Sequence, residues 1–133
     1  MKRIVLDTNS YSSLFRGDVK VKTKMDASTQ VLVSIITLGE LYAGFRKGSQ
    51  NRKNLQILNR FLAKPKVKVV NIERSVAKEY GNIKFELAKK GTPIPENDIW
   101  IGACAIKSNA VVITYDKHFS KIPGLKIWDQ TEN

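Results

Sequence analysis

Four of the twelve acidic residues stand where a carboxylate could do chemistry. Asp7 and Asp116 each follow an apolar segment that reads as a strand, Asp98 opens a helical segment after a proline-rich loop, and Glu40 lies in the helical segment behind the second strand. Because the carboxyl ends of parallel strands meet at one edge of a sheet, Asp7 and Asp116 are expected together there. Taken singly, each acid also has a structural explanation as a helix cap, a dipole partner or a turn residue.

Carboxylates gathered at one edge of a sheet repel one another. Two carboxylates about 4 Å apart repel by about 4 kcal/mol at an effective dielectric near 20. Such a cluster therefore needs a bound cation or raised pKa values. The chain has one cysteine and one histidine, so the expected ligands are hard oxygens, which suit Mg²⁺ or Mn²⁺. These ions activate water and stabilise charge on phosphate oxygens, so the pattern predicts phosphodiester hydrolysis.

Glu40 has two interpretations. A helical wheel places it opposite the apolar side of its segment, which predicts a solvated glutamate. Its own side is small and mostly uncharged, which is typical of a helix that lines a cleft; the residues there are Ile36, Ala43, Gly44 and Lys47.

The net charge of +11 indicates a polyanionic partner, since lysine and arginine neutralise phosphates and release counterions. A charge that serves solubility, or an acidic protein partner, is the alternative. Basic residues crowd the segments 16–24, 46–53 and 60–68.

The elements that must position the acids are short strands alternating with helices. Strands are predicted at 3–6, 31–34, 67–72, 110–114 and 125–128. Helices are predicted from a cap at Ser34 or Thr37 to about Gly48, over Asn51–Leu62, from a cap at Ser75 to Gly91, and over 97–108. The alternation predicts an α/β fold with a mostly parallel sheet. Without a repeat or linker, residues 1–133 are expected to form one domain, and without a membrane span or signal sequence it is expected in the cytoplasm.

Four segments resemble, in order, the four motifs of PIN domains, and together they span nearly the whole chain. They are LDTN at 6–9, SIITLGELYAG at 34–44, PIPENDIWIGA at 93–103 and VITYDKHF at 112–119. The resemblance implies a three-layer α/β/α sandwich around a mostly parallel sheet of about five strands. It also implies that Asp7, Glu40, Asp98 and Asp116 are catalytic and bind the metal.

The resemblance further implies an endoribonuclease that depends on Mg²⁺ or Mn²⁺. Thr8, Asn9 and Thr114 match motif positions that support the site. Small size and the third motif resemble the VapC toxins of prokaryotic toxin–antitoxin pairs, which are generally dimers. A cognate antitoxin inhibits these toxins by covering the acidic site, often with a basic side chain. The expected contacts to the RNA backbone are Arg16, Lys20, Arg46, Lys47, Arg52 and Lys53.

Several alternatives stay open at this point. The chain could be a housekeeping RNA-processing nuclease, or a PIN domain that binds RNA or an antitoxin without catalysis. A haloacid-dehalogenase-like phosphatase is disfavoured, because Asn9 stands where that family needs a second aspartate. Glu96 either joins the metal shell or, as favoured, sits exposed on the loop, and His118 is interpreted as a packing or hydrogen-bonding residue. Cys104 is expected to be buried and inert, and Trp100 and Trp128 are expected to pack in the core or a dimer.

Overall fold

The structure is a computed structural model that describes residues 2–130. Its sheet contains β1 (Arg3–Leu6), β2 (Gln30–Ser34), β3 (Val67–Val70), β4 (Val111–Ile113) and β5 (Lys126–Ile127). The strand order is β3-β2-β1-β4-β5, and each neighbouring pair is parallel. The predicted parallel sheet of about five strands is confirmed, and each strand lies where the apolar segments placed it.

Six α-helices and one 3₁₀ helix complete the fold across the described residues. The helices are α1 (Thr8–Leu14), α2 (Val19–Ala27), α3 (Ile35–Lys47), α4 (Asn51–Leu62), α5 (Arg74–Lys90) and α6 (Glu96–Lys107), and the 3₁₀ helix is Lys117–Lys121.

Four helices differ from the prediction. Helix α1 was not among the helices assigned from the sequence, although Asp7 was considered as a possible helix cap, and its side chain does cap α1. Helix α2 was not predicted, because Val21 is its one fully buried apolar residue and the segment shows little apolar periodicity. The N-cap position of helix α5 is Glu73, whose side chain makes no capping hydrogen bond, rather than Ser75, so the helix begins two residues earlier than predicted. Helix α6 begins at Glu96 rather than at 97, because the extended conformation of Pro95 ends immediately before it.

Two apolar cores lie on opposite faces of the sheet, because side chains alternate along each strand. Val5 of β1 packs into the core that α5 and α6 cover, whereas Ile4 and Leu6 pack into the core that α1, α2, α3 and α4 cover. The expected three-layer α/β/α sandwich is therefore confirmed. No membrane-spanning helix is found among residues 2–130.

The register of the central strands brings their carboxyl ends side by side. Leu6 of β1 lies opposite Ile113 of β4, so the chain leaves both strands at the same edge. A hydrogen bond fixes this junction, since the buried Ser10 hydroxyl donates to the Ile113 carbonyl at 2.7 Å. Strand β2 ends on the other side of β1, where Ser34 accepts from the Ile36 N–H and starts α3.

Candidate active site

Asp7 is the buried acid at the centre of this edge. Asp7 is only 4% exposed, and both of its carboxylate oxygens accept hydrogen bonds. Oδ1 accepts from the backbone N–H of Ser10 at 2.8 Å, which caps α1, and Oδ2 accepts from the Thr114 hydroxyl at 2.5 Å. Asp7 thus caps a helix and also faces the neighbouring strand end, so the structural and functional interpretations of this residue coexist.

Asp98 and Asp116 converge beside Asp7, together with His118. One ligand atom from each of these three residues lies within 4.8 Å of the other two. The His118 Nδ1 atom is 2.9 Å from Asp116 Oδ1 and 3.3 Å from Asp98 Oδ2. Asp98 comes from the first turn of α6 and Asp116 from the loop behind β4, so two separate elements supply the carboxylates.

Glu40 forms a second group on the α3 side of the site. Its Oε1 accepts from the Thr8 hydroxyl at 2.6 Å, and its Oε2 accepts from the Asn97 side-chain amide at 3.3 Å. Because Thr8 adjoins Asp7 in sequence and Asn97 adjoins Asp98, the glutamate is held next to both acids. Glu40 is partly exposed, as a helix side lining a cleft would be. Neither Glu40 nor Asp7 joins the 4.8 Å group within residues 2–130.

Burial and mutual repulsion perturb the acids. Desolvation raises the pKa of Asp7, although hydrogen bonds from Thr114 and Ser10 oppose that rise, and the charge of Asp116 adds to it. The pKa of Asp98 rises to about 6, first because of burial and then because of the charge of Asp116. Raised carboxylate pKa values in a cleft are typical of functional sites.

The donor set fits a divalent cation. Asp98 and Asp116 offer carboxylate oxygens whose side chains are 16% and 26% exposed, so they are accessible and yet partly desolvated. The repulsion between these carboxylates is what a cation would relieve. Hard oxygen donors match Mg²⁺ or Mn²⁺. Of the four acids predicted from the sequence to bind the metal, Asp98 and Asp116 lie within ligand distance of each other in the described residues, and His118 joins them.

The supporting residues divide into two groups. Thr8 contacts Glu40 and Thr114 contacts Asp7, whereas Asn9 lies exposed on the first turn of α1, and no hydrogen bond from its side chain to the acids is found in the described chain. Glu96 is exposed and contacts Tyr80 and Lys84 instead of the acids, as favoured, although it stands on α6 rather than on a loop.

Sequence reasoning missed three contributors to the site. His118 was interpreted as a packing or hydrogen-bonding residue, and its ring does lie at hydrogen-bonding distance, but its neighbours are the acids themselves. Asn97 positions Glu40, and Trp128 donates from its indole to the Thr114 carbonyl at 2.6 Å. Asn97 and His118 could have been identified from the sequence because they lie next to acids of the motifs. No sequence feature indicated that Trp128 belongs to the site.

The six predicted RNA contacts are exposed and lie in three helices and the turn behind α1. Arg16 and Lys53 line one groove of about 360 Å³ between α1, α3 and α4, together with Tyr11, Phe15, Phe45 and Ile57. Lys20 on α2 donates to the Gln130 carbonyl at 3.2 Å. Arg46, Lys47 and Arg52 lie at the end of α3 and the start of α4.

Comparisons with known proteins identify the family of the chain. The model of the PIN domain family matches residues 4–125. The chain is 30% identical to the tRNA(fMet)-specific endonuclease VapC of Salmonella typhimurium, over 97% of this chain and 98% of that protein. It is 29% identical to ribonuclease VapC2 of Haemophilus influenzae, over 100% of this chain and 98% of that protein.

Solved structures with a similar fold also include VapC proteins, in their VapBC complexes. DNA-bound VapBC from Salmonella typhimurium superposes with a TM-score of 0.86 at 30% identity, covering 97% of this chain and 98% of that one. VapBC2 from Rickettsia felis, bound to a DNA fragment from its promoter, gives 0.84 at 27% identity, covering 96% and 99%. The chain therefore belongs to the PIN domain family and, within that family, to the VapC ribonucleases.

Proposed function

We propose that this protein is a metal-dependent endoribonuclease and the toxin of a VapBC-like toxin–antitoxin pair. The observation that carries the proposal is the convergence of Asp98 and Asp116 at the carboxyl edge of the sheet, where the charges of Asp116 and the buried Asp7 help to raise the pKa of Asp98 to about 6. Glu40 stands beside them, held by Thr8 and Asn97. Together the four carboxylates would hold Mg²⁺ or Mn²⁺.

Each residue has a task in this proposal. Thr114 orients Asp7 and favours its ionised form, because its hydroxyl donates to the carboxylate. Thr8 and Asn97 fix the direction of the Glu40 carboxylate from its two oxygens. When bound, the cation supplies Lewis-acid chemistry that polarises the phosphodiester and lowers the pKa of attacking water. Exposed cations such as Arg16 and Lys53 bind the RNA backbone outside the acidic centre.

The partners follow from the relatives. Several structural neighbours are VapBC complexes, so we propose that a cognate antitoxin binds this chain and covers the acidic site. We further propose that the chain forms a homodimer. One relative is named a tRNA(fMet)-specific endonuclease, which makes tRNA the first RNA pool to test.

The proposal is tested by incubating purified protein with total cellular RNA in Mg²⁺, in Mn²⁺ and in EDTA, beside the Asp98→Ala variant. Discrete fragments that require metal and are missing with the variant support the proposal, and their ends identify the RNA. Metal-independent fragments, or equal cleavage by a folded Asp98→Ala protein, contradict it. Growth arrest on expression, relieved by co-expressing the cognate antitoxin, distinguishes a toxin from a housekeeping nuclease.

A further inference from the structure

We propose that His118 is a nitrogen ligand of the divalent cation, alongside Asp98 and Asp116. The proposal rests on the proposed function, because it concerns the same cation, but it adds a residue that the four-carboxylate site does not include. It makes the donor set mixed, with imidazole nitrogen and carboxylate oxygen, instead of oxygen alone.

The spacing of the three side chains carries the proposal. Nδ1 of His118 lies 2.9 Å from Asp116 Oδ1 and 3.3 Å from Asp98 Oδ2, and the three ligand atoms lie within 4.8 Å of one another. Adjacent ligands of a six-coordinate ion with bonds of about 2.1 Å are roughly 3 Å apart, because adjacent bonds meet near a right angle. The imidazole therefore stands at a ligand-to-ligand distance from both carboxylates.

The backbone holds His118 in this place. Asp116 caps the 3₁₀ helix by accepting from the backbone N–H of His118 at 2.9 Å, so the imidazole is tied to the acid it would join. The next residue, Phe119, is fully buried and anchors the 3₁₀ helix in the core. The His118 side chain remains 46% exposed, so an ion arriving from solvent can reach it.

A nitrogen ligand changes which metal the site prefers. Imidazole suits transition ions better than it suits Mg²⁺, and Mn²⁺, although it also takes oxygen ligands, gains more from a nitrogen ligand than Mg²⁺ does. Removing even an outer-shell partner of a metal ligand typically lowers metal affinity 10- to 100-fold, so loss of a direct ligand should lower Mn²⁺ affinity by about tenfold or more. Mg²⁺ affinity should fall less, and the preference for Mn²⁺ should shrink accordingly.

Pulsed electron paramagnetic resonance of bound Mn²⁺ tests this without relying on activity. The chain contains one histidine, so in tag-free protein any coupling to a directly bound imidazole nitrogen belongs to His118. We expect strong ¹⁴N modulation in the wild type and its loss in His118→Gln, whose backbone N–H still donates to the Asp116 carboxylate. Lys121→Gln, a change on the same 3₁₀ helix that removes no ligand, should keep the modulation.

The outcomes separate this inference from the proposed function. Mn²⁺ that binds tightly to wild type without imidazole modulation overturns the role of His118 and leaves the carboxylate site standing. Mn²⁺ binding that Asp98→Ala does not weaken overturns the proposed site itself. If His118→Gln does not fold, ¹⁵N-labelled histidine in the wild type replaces it: the proposal requires the nitrogen coupling to change to the ¹⁵N pattern, and an unchanged signal contradicts it.

Discussion

The hydroxyl of Thr114 donates a 2.5 Å hydrogen bond to Oδ2 of Asp7 and accepts one from the backbone N–H of Asp116 at 2.9 Å. One buried side chain therefore connects two carboxylate-bearing segments that follow neighbouring strands. Because donation to a carboxylate favours its ionised form, Thr114 opposes the rise that burial causes in the pKa of Asp7.

Thr114→Val tests this connection with a side chain of nearly the same shape. The pKa of Asp7 should rise further, cation affinity should fall, and the free energy of unfolding should drop by about 1–3 kcal/mol because Asp116 N–H loses its acceptor. Titration calorimetry with Mn²⁺ and urea unfolding measure these effects. Thr23→Val, which removes an exposed hydroxyl on α2, is the control. Unchanged cation affinity in Thr114→Val would show that this hydroxyl does not orient the site.

Asp98→Asn should stabilise the metal-free protein while abolishing cleavage. The pKa of Asp98 is raised from 3.8 to about 6, so the folded protein holds this proton more tightly than the unfolded chain does. In EDTA the free energy of unfolding should therefore fall as the pH rises from about 4 to about 6, and the variant should lack this fall. At neutral pH the gain should be at most about 3 kcal/mol, since each pKa unit corresponds to about 1.4 kcal/mol, and urea unfolding measures it.

The matched control for that experiment is Asp26→Asn. Lys22 lowers the pKa of Asp26, so its ionised form is favoured in the fold and the substitution should give no gain at neutral pH. Equal pH dependence in wild type and Asp98→Asn would show that Asp98 is not the perturbed acid.

Trp128→Phe should slow cleavage without weakening RNA binding. The indole N–H donates to the Thr114 carbonyl at 2.6 Å, and phenylalanine keeps the ring that packs against Tyr115 but lacks this donor. We expect kcat to fall by about tenfold with KM nearly constant, because Trp128 acts through Thr114. Trp100→Phe, which makes the same chemical change where Trp100 stacks on Tyr80, should leave kcat unchanged. A rise in KM alone would place Trp128 in RNA binding instead.

The groove that Arg16 and Lys53 line should contribute to the salt dependence of RNA binding. Arg16→Gln with Lys53→Gln removes two charges that line one groove, so the slope of log affinity against log salt should fall by about 0.7 for each lost contact to single-stranded RNA. Fluorescence anisotropy with inactive Asp98→Asn protein measures the slope. Lys89→Gln with Lys90→Gln makes an equal charge change at the end of α5, on the other face of the sheet. If both double variants gave the same slope, the result would show that Arg16 and Lys53 in this groove do not contact the RNA.

The sequence allowed most of the fold to be predicted, because each strand is a compact apolar segment and each long helix has a buried stripe. Helix α4 was predicted with the bounds it has, since Leu55, Leu58 and Leu62 recur at helical spacing, and the structure buries Leu58 together with Phe61. Helix α2 was missed for the opposite reason: its lysines dominate, and it is held at its ends by the Asp18 cap and by Lys66, whose ammonium donates to the Met25 carbonyl at 2.6 Å. Such long-range capping cannot be read from local periodicity.

The acids of the candidate site were predictable because strand ends in a parallel sheet share an edge, which places Asp7 and Asp116 together. Their partners were less visible. The proximity of His118 to Asp98 depends on how the 3₁₀ helix packs against α6, and the bond from Trp128 to Thr114 spans 14 residues across the end of the sheet. Both contacts are set by tertiary packing rather than by spacing along the chain.

The central claim, that the acids at this edge bind the cation that cleaves RNA, is tested most directly with Asp7→Asn by measuring cation affinity and RNA cleavage on the same preparation. Burial raises the pKa of Asp7, so a neutral amide removes a desolvated charge, and this gain offsets the loss of one of the two acceptor oxygens. The account predicts a folded protein with weakened Mn²⁺ binding and no detectable cleavage. Wild-type cation affinity together with full cleavage in a folded Asp7→Asn protein would contradict it.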